Sequence, residues 1–174
     1  MPITSEILSR FLNPTFIETG TFRGDGIVAA LVAGFESVLS VEISPELHGK
    51  ATDRFRTDRR VVLFCGNSAE FLACRVPLLC APATFWLDAH GYAGVSDPDR
   101  PSPLLAELDA IATSTIRTHT ILIDDYNIFG RGFRSNVTEA QVRERLLAIN
   151  PDYLLVRIGT PDRPWDILGA LPWK

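Results

Sequence analysis

Five short, nearly continuous apolar runs recur along the chain: Thr15 to Glu18, Val38 to Glu42, Val61 to Cys65, Ala83 to Asp88 and Thr120 to Asp124. Each is rich in Val, Ile, Leu or Phe, as a strand must be when both faces of its sheet are covered. Between them lie stretches of helical period, at Gly26 to Ala33, Pro45 to Thr57, Ser68 to Leu72 and Pro103 to Thr113. In the last, Leu104, Leu105, Leu108 and Ile111 share one face. Strands alternating with helices predict right-handed crossovers and an α/β, Rossmann-like three-layer sandwich with a mostly parallel sheet. The tail differs. Thr138 to Ile149 reads as a helix, and Tyr153 to Ile158 and Trp165 to Leu171 flank the turn "GTPDRP". That pair predicts an antiparallel hairpin closing one edge of the sheet. Residues 1–174 are expected to form a single domain.

In an open parallel sheet, ligands bind outside the carboxyl ends of the strands. Here those ends carry Glu18, Glu42, Asn67 with Ser68, Asp88, and Asp124 with Asp125. Four of the five runs finish on a carboxylate, which solubility alone does not explain. After the first run comes "ETGTFRGDG", whose Gly20 and Gly24 permit a close backbone approach and a turn into a helix. Glu42 stands 22 positions beyond Gly20, a spacing suited to a carboxylate that accepts from both hydroxyls of a ribose. A tight turn without ligand, and an N-terminal helix role for Glu42 beside "SPEL", are the plainer readings.

Two cofactor classes suit that glycine turn. The glycines fit the TGxxxGxG pattern of short-chain dehydrogenases, which also need a tyrosine followed four residues later by lysine. Tyr92, Tyr126 and Tyr153 are followed at that distance by Ser96, Gly130 and Arg157, so that chemistry is excluded. "ETGTFRG", "VLSVEISPEL", "VVLFCGNSAEFL" and "FWLDAHG", in this order, resemble class I S-adenosylmethionine-dependent methyltransferases. The resemblance implies that Glu18, Gly20, Thr21 and Gly24 hold the methionine end of S-adenosyl-L-methionine. It likewise implies that Glu42 binds the ribose, that Asn67 and Ser68 lie at the adenine, and that Asp88 flanks the cofactor.

Asp88, Asp124 and Asp125 end neighbouring strands in the usual order of such a sheet. Two negative charges about 4 Å apart repel by roughly 4 kcal/mol at an effective dielectric near 20. Three together need a cation, a bound proton or a turn outward to water. Oxygen donors of this kind suit Mg²⁺ or Mn²⁺ rather than zinc. The set is similar to that of the metal-dependent O-methyltransferases of macrocin and catechol type, which implies Mg²⁺ beside an acceptor hydroxyl. His90 or Asp88 is then the candidate general base, His90 because its ordinary pKa lies near neutrality. A structural turn formed by Asp124 and Asp125 without an ion is the plainer alternative. The segments Gly91 to Pro103, with Tyr92, and Asn127 to Val137, with Arg131 and Arg134, are expected to frame the acceptor.

Composition narrows the partners. The net charge of −4 offers no basic face for nucleic acid or an anionic membrane. Cys65, Cys74 and Cys80 make no CxxC pair, and they are expected to be buried or half-buried free thiols in a reducing cytoplasm. The expectation is a cytoplasmic methyltransferase acting on a small-molecule hydroxyl, with a homodimer as the arrangement that would supply the missing cap. The alternatives are a non-catalytic subunit that binds an adenosine cofactor and, less favoured, a metal-dependent hydrolase.

Overall fold

A computed structural model of the chain describes residues 3–89, 102–130, 137–160 and 163–173. Seven strands form one sheet: β1 (Thr15–Thr19), β2 (Ser37–Glu42), β3 (Val61–Cys65), β4 (Ala83–Leu87), β5 (Thr120–Ile123), β6 (Leu154–Thr160) and β7 (Arg163–Leu171). Their order is β3-β2-β1-β4-β5-β7-β6. The first five strands run parallel, and β7 enters antiparallel between β5 and β6. The chain winds outward from β1 in one direction and from β4 in the other. The crevice between their carboxyl ends is therefore the topological switch point of the sheet.

Helices cover both faces. They are α1 (Ser5–Leu8), α2 (Asp25–Ala33), α3 (Pro45–Phe55), α4 (Ser68–Arg75), α5 (Leu104–Ile111) and α6 (Glu139–Ile149). Alternation along each strand divides the core in two. Phe16, Val38, Trp86, Leu122 and Ile167 pack with Ile7 and Leu8 of α1 and Ile27 and Ala30 of α2. Ile17, Phe85, Leu87, Ile121 and Ile123 meet Leu72 of α4, Leu104, Leu108 and Ile111 of α5, and Val142 and Leu146 of α6. The Phe16 and Phe35 rings, 5.1 Å apart, close the first layer.

Local chemistry starts the helices. Ser44 caps α3 ahead of Pro45, Asn67 caps α4, and Thr138 with Gln141 forms a reciprocal capping box on α6. The short α1 and the following single turn Ser9–Phe11 have no counterpart in the sequence reading, because four residues are too few to show a period. Two expectations are corrected. β3 is not buried on both faces: it pairs only with β2 and lies at the sheet edge, with Val62 exposed. Cys65, Cys74 and Cys80 are all exposed rather than buried, since they sit on that edge strand, on the outer side of α4 and in the loop before β4. Among the described residues, no helix is long and apolar enough to cross a membrane.

His119, just before β5, is fully buried and ties three segments together. The Ala83 N–H donates to its Nδ1 at 3.0 Å, the Ser114 hydroxyl bonds its Nε2 at 2.9 Å, and Tyr153 donates to its carbonyl at 2.8 Å. Burial lowers its pKa to about 4. A depressed histidine favours the neutral form, so its contribution is complete above about pH 6.5 and is lost as pH falls through 4. Urea unfolding of wild type and His119→Gln should show a stability difference of about 1–2 kcal/mol at pH 7 that shrinks toward pH 4. A difference independent of pH would contradict this role.

Candidate functional site

The carboxylates expected at the strand ends do gather on one rim. Glu18 and Ser40 are register partners in β1 and β2, and the Ser40 hydroxyl donates to Glu18 Oε2 at 2.6 Å. Thr21 Oγ1 lies 2.6 Å from the same Ser40 oxygen. Glu18, Ser40 and Thr21 are all buried, so the Thr21 side chain supports Glu18 from within the turn. Burial raises the Glu18 pKa to about 8; the Ser40 hydrogen bond opposes this, and the charges of Glu42 and Asp25 add to it.

Glu42 is held as firmly. Its Oε2 accepts from the Phe22 N–H at 2.8 Å and its Oε1 from the Ser44 N–H at 2.9 Å. The first bond fixes the glycine turn to the end of β2, and the N–H groups of Gly20 and Thr21 both donate to the Val41 carbonyl. Gly20 has φ +85°, and a Cβ there would stand 2.7 Å from the Asp88 carbonyl oxygen. It lets the β1 turn lie flat against the end of β4. Gly24 has φ +81°, but what a Cβ would strike is the Phe55 ring at 2.5 Å, so its tightness serves packing on α3.

Beyond the end of β3, Asn67 spends its Oδ1 on the N–H groups of Ala69 and Glu70 as the α4 cap. Its amide hydrogens are what it has left to offer a ligand. A cavity of about 250 Å³ opens beside it, lined by Val41, Phe64, Gly66 and Phe71. Ser68 is buried and turned toward Glu107 of α5. Glu107 is fully buried, and neither of its oxygens completes a well-formed hydrogen bond among the described residues. Burial raises its pKa to about 7, while the approaching hydroxyls of Ser68 and Thr19 pull it back. The Thr19 hydroxyl also accepts from the Asp88 N–H at 3.3 Å. Glu107 thus backs the ends of β1, β4 and α4 together. Its signal in the sequence is a carboxylate on the apolar face of α5, between Leu104 and Leu108.

Asp88 is half-buried, and its pKa is pushed well up, first by burial and then by the charges of Asp124, Asp125 and Glu18; the Trp86 indole opposes this. Asp124 is buried and rises to about 7, mainly from burial; the Asp125 N–H at 2.8 Å opposes this, and the Asp125 and Asp166 charges add to it. Among the described residues, the carboxylates whose oxygens lie within 4.8 Å of one another are Asp124, Asp125 and Asp166, without Asp88. Asp166, on β7, has no place in the sequence reading because a lone aspartate in a hairpin strand carries no spacing signal. His90, Tyr92, Arg131 and Arg134 lie outside the described residues.

No family model matches the sequence, and no curated protein does. Solved structures do. An O-methyltransferase from Bacillus cereus, in complex with SAH, superposes with TM-score 0.66 at 13% identity, covering 96% of this chain and 78% of that one. Spermidine synthase from Thermotoga maritima gives 0.63 at 13% identity, covering 98% and 57%. A spermidine synthase bound to the transition-state analogue AdoDATO gives 0.61 at 14% identity, covering 99% and 56%. The chain therefore spans little more than half the length of these synthases. The likeness is one of fold: the chain has the Rossmann-like fold of these structures, with a mostly parallel sheet and antiparallel C-terminal strands.

Two outcomes follow from this geometry. A carboxyl whose pKa is raised on folding stabilises least once it must ionise, so the Glu18 contribution is lost as pH rises from about 4.5 to 8. Glu18→Gln should therefore exceed wild type by roughly 1–3 kcal/mol in urea unfolding at pH 8.5, without added ligand, and by little at pH 5. Equal stability at both pH values would contradict the buried-charge account. Gly20→Ala should cost about 2–4 kcal/mol, from the left-handed backbone and the clash with the Asp88 carbonyl, read as a lower melting temperature.

Proposed function

We propose that the protein is an S-adenosylmethionine-dependent methyltransferase that methylates a hydroxyl of a small molecule or sugar, assisted by a divalent ion. The observation that carries the reading is Glu42, pinned by two backbone N–H groups across from the Gly20 turn and beside buried Glu18. A rim of crowded carboxylates favours a cationic ligand, and S-adenosylmethionine carries both a sulfonium and an ammonium charge. The SAH complex of the Bacillus cereus enzyme and the AdoDATO complex of spermidine synthase support an adenosyl sulfur ligand on this fold.

In this reading the Gly20 turn and Glu18 hold the methionine end, Glu42 accepts from the ribose hydroxyls, and Asn67 borders the adenine. Methyl transfer by direct displacement depends mostly on alignment, so few catalytic groups are needed. The acceptor oxygen forms a bond to the methyl carbon as the carbon–sulfur bond breaks, and the hydroxyl proton passes to Asp88 or His90. Burial pushes the Asp88 pKa up, which makes it a stronger proton acceptor than an ordinary carboxylate. A divalent ion at the β5 end would lower the pKa of the acceptor hydroxyl.

The test is a thermal-shift comparison of S-adenosylhomocysteine with NAD(H), each with and without Mg²⁺. Ligand at 100 times its dissociation constant adds about 2.7 kcal/mol, a rise in midpoint on the order of 5–10 °C for this size. A response to NAD(H) alone would overturn the cofactor, and an Asp88→Asn variant should keep the S-adenosylhomocysteine shift while losing turnover.

A further inference from the structure

The carboxylate that joins Asp124 and Asp125 comes from the returning strand of the C-terminal hairpin. β5 and β7 pair Ile121 with Ala170, Leu122 with Gly169 and Ile123 with Leu168. Continuing that register carries Asp166 to the level of Asp125, on the same rim as the other strand ends. The ladder between β6 and β7 shifts at Ile158 to Thr160, and Trp165 sits at φ +68° immediately before Asp166. An irregularity of this kind re-aims the side chain that follows it.

Asp166 is 1% exposed, although Arg163, Pro164 and Trp165 before it are exposed. Its Oδ2 accepts from Arg163 at 3.2 Å, while its buried Oδ1 has no hydrogen-bond partner among the described residues. A buried carboxylate oxygen without a donor is costly unless something positive meets it. Three carboxylates with one oxygen each inside 4.8 Å give the charge and the hard donor atoms that would meet this need through a metal ion. Ca²⁺, with oxygen ligands at about 2.3–2.6 Å, and Mg²⁺ or Mn²⁺, at about 2.1 Å, are the hard cations such oxygens suit.

We propose that Asp124, Asp125 and Asp166 form a binding site for a hard divalent cation, with Asp166 of the hairpin, rather than Asp88, as the third carboxylate. This deepens the ion-assisted reading above and leaves Asp88 unligated and able to take a proton. It also assigns the C-terminal hairpin a share in the site, beyond closing the sheet.

The test is a titration of the full chain with Mn²⁺, followed by the electron paramagnetic resonance signal of the free ion, with Ca²⁺ as competitor. Wild type should bind one Mn²⁺ that Ca²⁺ displaces. Asp166→Asn should weaken binding by about tenfold or more, and Asp88→Asn should change it by less than about threefold. Because a buried aspartate variant can fail to fold, Arg163→Ala provides a second arm at an exposed position. Freeing Oδ2 should tighten Mn²⁺ binding about threefold or more in 0.3 M salt, where longer-range charge effects are screened. No Mn²⁺ or Ca²⁺ bound at several millimolar would overturn the site. Binding that neither the Asp166 nor the Arg163 variant alters, or that Asp88→Asn abolishes, would overturn the ligand assignment. Binding of S-adenosylhomocysteine, measured separately without metal, judges the methyltransferase reading: its failure alongside intact Mn²⁺ binding would sink that reading and leave the cation site standing.

Discussion

Carboxylates held out of water at one end of the sheet are the constraint around which this molecule is arranged. Glu18, Glu42, Asp124 and Asp166 are buried, and Asp88 is partly covered. Any one of them ionised without a partner would cost several kcal/mol. The surrounding structure answers in kind. Ser40 and Thr21 support Glu18, backbone N–H groups hold Glu42, the Asp125 N–H holds Asp124, and Arg163 reaches Asp166. What these contacts leave unbalanced appears as raised pKa values at Glu18, Asp88 and Asp124.

The two apolar layers keep that rim in register. Phe16 and Trp86 face one set of helices and Ile17 and Phe85 the other, so β1 and β4 cannot slip by a residue without exposing both cores. With the strands locked, Gly20 rests against the Asp88 carbonyl, and the Thr19 hydroxyl accepts from the Asp88 N–H on the side that faces Glu107. The turn that would face a ligand is thus braced from the core through Glu107 and from β2 through Glu42. Binding on such a frame loses little entropy to ordering the protein.

Much of this was legible along the chain. Runs such as "VVLFC" and "ATFWL" differ sharply from the polar turns beside them, and a carboxylate at the end of such a run has one place to go in a parallel sheet. Ser44 with Pro45 marks a helix start by local chemistry. β3 misled because an edge strand can carry as many apolar residues as a central one, and exposure depends on what lies beside it. Cys65 misled for the same reason.

The sequence by itself determined the strands, the helices, the glycine turn and the carboxylates at the strand ends, because periodicity, backbone freedom and capping act between near neighbours. Only the tertiary structure decided which carboxylates meet. Asp166 lies far from Asp125 along the chain and reaches its level through antiparallel pairing and an irregular strand. Glu107 approaches Thr19 and Ser68 only once α5 packs on the sheet. Burial and mutual charge, which set the chemistry of these groups, are properties of the assembled rim rather than of any one segment.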